Sequence, residues 1–148
     1  MAVIPQHPSR SALSATLSLA ADPALVAWCR RSVSSLMAAW GVETHVQQAA
    51  VLILSELVSN AVQYGAAPID VTLTLDRWGG TLTGQVEDAG DGWPCPRDRD
   101  LCDLAEGGRG LLLVGLMATR WGVTRCAGTA GKRVWWCQAV PHLGLEVR

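Results

Sequence analysis

Apolar and polar residues alternate from the first folded-looking stretch onward. In "SALSATLSLA" (11–20), Leu13, Ala15, Leu17 and Leu19 share one side and hydroxyl residues take most of the other, the period of a half-buried strand. The period then lengthens. "ADPALVAWCRRSVSSLMAAWG" reads as a helix with Asp22 as its cap, Pro23 in its first turn and Gly41 as its stop. A second helix, "VETHVQQAAVLILSELVSNAVQYG", starts near Glu43 or Thr44 and ends at Gly65. Alternation returns in "IDVTLTLDRW" and "TLTGQVED", separated by "GG" as in a hairpin. "AGDGWPCPRDRDLCDLAEGG" has little periodicity and much Gly, Pro and charge, the pattern of a functional lid or a disordered loop. "GRGLLLVGLMATRWG" reads as a third helix, and "VTRCA" and "KRVWWCQAV", joined by "GTAG", as a terminal hairpin. Strands in hairpins plus three helices predict an α/β two-layer sandwich, helices on one sheet face.

Composition narrows the class. With 148 residues, 49% hydrophobic and 17% charged, the chain suits one globular domain with a substantial core. A net charge of −1 argues against a surface built for nucleic acid. Five cysteines, with no C-x-x-C pair, indicate neither a disulfide framework nor a zinc site and fit a reducing cytoplasm. "MAVIPQHPSR" lacks a signal-peptide apolar run, and no stretch has the length of a membrane span. Of the 12 basic residues, only Lys132 is a lysine.

Three places carry candidate chemistry. Glu56 and Asn60 lie one turn apart near the end of an apolar helix, so both can face one object. They form either a polar stripe at the helix end or the edge of a site. In the second case the Asn60 carbonyl would serve Mg²⁺, which takes few protein ligands, and Glu56 would act as a base. In "VEDAGDGW", Asp88, Gly90 and Gly92 make either an ordinary turn or an acceptor for an exocyclic amine beside glycines that admit a flat ring. In "EGGRGLLLVG", Gly108, Arg109 and Gly110 open a helix, as a hinge or as a phosphate cradle. A Walker A loop around Lys132 fails, because Cys126 stands at its first glycine and Arg133 at its Ser/Thr. The G-x-G-x-x-G pattern fails too, with Cys95 or Leu113 at its last glycine. No hydrolase triad surrounds His7, His45 or His142.

In their order, "ELVSNAVQYG", "DAGDG" and "GGRGL" resemble the N, G1 and G2 boxes of the GHKL (histidine kinase-like) ATPase superfamily, over about residues 11–140. The chain is similar to its small stand-alone anti-sigma-factor serine/threonine kinases. That resemblance implies a Bergerat-type two-layer α/β sandwich with a mixed, mostly antiparallel sheet and ATP and Mg²⁺ as ligands. Asn60 would hold the metal, Glu56 would be the catalytic base, and Asp88 would bind the adenine amine beside Gly90 and Gly92. Gly108, Arg109 and Gly110 would cradle phosphates, and residues 91–107 would form the ATP lid, flanked by tails at 1–10 and 141–148. "GTAGKRVWW" stands at the last glycine box. Glu106 stands where relatives tend to be basic, and Arg133 where they often carry a small hydroxyl. The implied activity is phosphorylation of an anti-sigma antagonist and sequestration of a sigma factor, without direct nucleic-acid or membrane binding. The alternative is a catalytically silent, ATP-gated regulatory binding module. Trp135 and Trp136 must face opposite sides of their strand, and the outer one leaves a homodimer contact open. Trp93 would sit in the lid.

Overall fold

The computed structural model describes residues 12–91 and 108–141, with backbone alone at 108–110. Gly92, Trp93, Glu106 and the lid beyond Asp91 lie outside the described residues, as do both tails apart from Pro141. Strand β1 (Ala12–Leu19) leads into helices α1 (Ala24–Ala39) and α2 (Thr44–Tyr64). The hairpin β2 (Ile69–Asp76) and β3 (Thr81–Asp88) follows, and then α3 (Gly108–Met117), β4 (Arg120–Arg125) and β5 (Lys132–Ala139). The five strands form an open sheet in the order β1-β2-β3-β5-β4. All four pairings are antiparallel, so the expected mixed sheet is antiparallel throughout its described strands.

Period-two burial decides which face the helices cover. Ile69, Val71, Leu73 and Leu75 of β2 are buried, and register sets Val86, Gly84 and Leu82 of β3 beside the last three. On β5, Val134 and Trp136 continue this face. Over it lie Cys29, Val33 and Met37 of α1 and the buried stripe Ala50, Ile53, Leu54, Leu57, Val58 and Ala61 of α2. Trp136 fits only because Gly84 faces it, since a Cβ there would overlap the indole. The other face is polar: Ser14–Thr74 (3.1 Å), Thr16–Thr72 (2.9 Å) and Ser18–Asp70 (2.6 Å) are hydrogen-bonded across β1 and β2. Trp135 lies on that face, against Gly122.

Helix ends follow the expected chemistry. Asp22 accepts the Ala24 N–H through Oδ1 at 2.9 Å. Gly41 takes a left-handed φ of 74°, which lets the Val42 N–H reach the Met37 carbonyl at 3.0 Å. Two expectations are corrected. Arg77 and Trp78 are not strand but turn, because Asp76 Oδ1 accepts the N–H groups of Trp78 (3.0 Å) and Gly79 (2.9 Å). Arg120, Trp121 and Gly122 belong to β4 and not to the third helix. The Ala118 N–H makes a last helical bond to Val114, whereas the Thr119 N–H already bonds Cys137 of β5.

Candidate functional site

The site forms where α2 runs out against the end of β3. The Gly65 N–H closes the helix on the Ala61 carbonyl at 2.9 Å, and Gly65 then lies directly on Asp88. A Cβ at Gly65 would stand 2.6 Å from both Cγ and Oδ1 of Asp88. The Ala89 N–H bonds the Ala66 carbonyl at 2.9 Å, which clamps the two segments together. Gly90 donates its N–H to Asp88 Oδ1 at 2.9 Å, and a Cβ on Gly90 would meet that oxygen and Gly65 Cα at 3.0 Å. Just before β5, a Cβ on Gly131 would lie 2.5 Å from the Asp88 carbonyl oxygen. Gly65 and Gly90 therefore pack directly on the buried carboxylate, and Gly131 on the Asp88 backbone carbonyl, at distances that a residue with a Cβ would not permit.

Asp88 is 5% exposed, a burial that a lone carboxylate would not tolerate. Its partner is Lys132, itself 8% exposed, whose Nζ is 3.1 Å from Oδ1 and 3.1 Å from Oδ2. Register causes the meeting, since Asp88 and Lys132 are cross-strand partners. Lys132 was absent from the expected site. Its signal in the sequence was parity: it alternates in phase with Val134 and Trp136 and so faces inward.

Arg133 takes the opposite face. Its Nη2 and Nε donate to Glu87 Oε2 at 2.7 and 3.0 Å, so its bulk stays away from Asp88. Beside that pair, burial and a hydrogen bond to Glu87 push the Cys126 thiol up from its ordinary value.

Glu56 and Asn60 are both half-buried, on the margin of the α2 stripe. By helix rise, Asn60 lies about 7 Å and Glu56 about 13 Å back along the axis from Gly65. Both residues thus lie on the last turns of the helix whose end meets Asp88. Among the described residues Glu56 has no ion pair. No cluster of three His, Cys, Asp or Glu there can hold a metal ion. A site with one amide ligand fits only a cation that keeps water and substrate oxygens, as Mg²⁺ does. Gly108, Arg109 and Gly110 form the first turn of α3, where backbone N–H groups lack helical partners. α3 packs on α2, which puts both helices in one layer. Among the described residues no helix is long and apolar enough to cross a membrane.

Comparison with solved structures places the fold beside the RsbU and RsbW domains of Rv1364c from Mycobacterium tuberculosis. The TM-score is 0.66 at 20% sequence identity, over 86% of this chain. The match spans 32% of that solved chain. No curated protein matches the sequence. The profile of the histidine kinase-like ATPase domain matches residues 19–137, from the end of β1 to within β5, and the chain belongs to that family.

Proposed function

We propose that the chain is an ATP-dependent protein serine/threonine kinase of the anti-sigma-factor type, which phosphorylates an anti-sigma antagonist and sequesters a sigma factor. The observation that carries this reading is the seating of the α2 terminus on Asp88, which joins the helix bearing Glu56 and Asn60 to the buried carboxylate of the second motif. The fold shared with a chain that includes an RsbW domain supports the same class.

In this reading Asp88 accepts the exocyclic amine of ATP, and Gly90 and Gly92 leave room for the ring. Gly108, Arg109 and Gly110 receive the phosphates at the start of α3. Asn60 holds Mg²⁺, which when bound neutralises charge on the phosphate oxygens. Glu56 accepts the proton of the incoming serine or threonine hydroxyl as its oxygen bonds the γ-phosphorus. The bond from that phosphorus to the β-phosphate oxygen breaks, and ADP leaves. The free thiols of Cys29, Cys126 and Cys137 suit a reducing cytoplasm.

The test is phosphotransfer from labelled Mg-ATP to candidate antagonist proteins. Wild type should yield phosphoserine or phosphothreonine, and Glu56→Gln should slow transfer by roughly 10²–10⁴-fold. Undiminished transfer by Glu56→Gln would remove Glu56 from the chemistry. ATP-dependent partner binding with no transfer by wild type would identify the silent regulatory module instead.

A further inference from the structure

The only lysine in the sequence pairs with the buried Asp88 carboxylate, and the ion pair leaves hydrogen-bonding capacity on both sides. An ammonium has three N–H donors. Asp88 is the one partner of the Lys132 Nζ among the described residues, through Oδ1 and Oδ2, so at least one N–H remains. On the carboxylate, Oδ1 already accepts from Gly90 and from Lys132. Oδ2 receives Lys132 alone. The pair thus presents a spare acceptor, Oδ2, next to a spare donor, Nζ. The two glycines that pack on the carboxylate, Gly65 and Gly90, lie nearest Oδ1 and not Oδ2.

We propose that Lys132 is a second base-reading residue, which donates to N1 of adenine while Asp88 Oδ2 accepts from the N6 amine. This rests on the assignment of Asp88 to the base under the proposed function. Adenine carries a donor at position 6 and an acceptor at the neighbouring ring nitrogen, the complement of Asp88 beside Lys132. Guanine carries the reverse order, O6 as acceptor and N1–H as donor, and in the same pose sets acceptor against carboxylate and donor against ammonium. The ion pair therefore selects adenine by two contacts and rejects guanine by repulsion. Lys132 is also the ion-pair partner of the buried Asp88, so one residue both reads the base and pairs with the other reader.

The test is calorimetry on the full chain with Mg²⁺ and four nucleotides: ATP, 1-deaza-ATP (N1 replaced by C–H), purine riboside triphosphate (no amine) and GTP. Wild type should bind 1-deaza-ATP roughly ten- to hundredfold more weakly than ATP, the effect of losing one bond to a charged group. Lys132→Met should bind ATP more weakly by a similar factor and no longer distinguish 1-deaza-ATP from it, yet still disfavour the amine-free analogue. Equal wild-type affinity for ATP and 1-deaza-ATP overturns the proposal, and so does full N1 discrimination by Lys132→Met or a preference for GTP. The wild-type comparison decides the matter even if the variant does not fold. Wild type that binds ATP without sensing N1 refutes Lys132 alone, whereas wild type that binds none of the four refutes the base site on which the proposal rests.

Discussion

Replacing Gly65 by alanine tests the contact on which the site is built. An added Cβ would stand 2.6 Å from Asp88 Cγ and Oδ1 and 2.7 Å from the Ala61 carbonyl oxygen, where ordinary contact begins at 3.4 Å. The backbone at Gly65 has φ −95°, so alanine suffers no left-handed penalty and the whole effect is crowding. The Ala61 carbonyl cannot retreat, because it accepts the Gly65 N–H that ends α2. Relief therefore needs residue 65 to shift off that carbonyl and the Asp88 carboxylate to recede, which stretches the bonds to Asp88 from Gly90 and Lys132. Overpacking of this kind costs about 1–3 kcal/mol. For a chain of this length that lowers Tm by roughly 3–10 °C. A displaced carboxylate would also lose the bond to the base proposed for it, so Mg-ATP affinity should fall about tenfold or more. Calorimetry and thermal unfolding on Gly65→Ala measure both effects. Lower stability with unchanged ATP affinity would refute the reasoning, since it would separate the α2–Asp88 contact from the nucleotide.

Two further predictions concern the core. Gly84→Ala would drive a Cβ into the buried Trp136 indole, and should cost about 3 kcal/mol or more, lowering Tm by roughly 6–12 °C; a wild-type melting curve would contradict the packing of β3 on β5. Burial pushes the Cys29 thiol from 9.0 up to about 11. The unfolded chain then releases this proton near pH 9 while the folded chain holds it, so the contribution is complete below pH 9 and is lost as pH rises towards 11. The loss should be about 2–3 kcal/mol, seen as a steeper alkaline decline of denaturant midpoint in wild type than in Cys29→Ala, and parallel declines would exclude Cys29 as the cause.

Local patterns made much of this molecule legible in advance. Alternation marked β1, β2, β3 and β5 because each buries one face against helices, and Asp22, Gly41 and Gly65 marked helix ends through caps that act within a few residues. What escaped depended on partners far along the chain. Arg120–Gly122 suits a helix locally and becomes strand because Trp121 pairs with Trp136 and the Thr119 N–H finds Cys137. Lys132 joins the site through cross-strand pairing with Asp88, 44 residues away. Arg133 leaves it by the same parity, bonding Glu87 on the other face. Asp88, Gly90, Glu56 and Asn60 were visible as motif positions, yet the closeness of Gly65 to Asp88 needed the folded chain.

Titration of Mg-ATP into wild type and Asp88→Asn by calorimetry asks whether Asp88 reads the base of a bound nucleotide. Asparagine keeps the volume but removes the charge that pairs with Lys132 and replaces one acceptor oxygen by a donor amide. Wild type should show one saturable site, weakened roughly ten- to hundredfold or more in the variant while the fold persists. Equal affinity in the two proteins, or no binding by wild type, would contradict that role for Asp88.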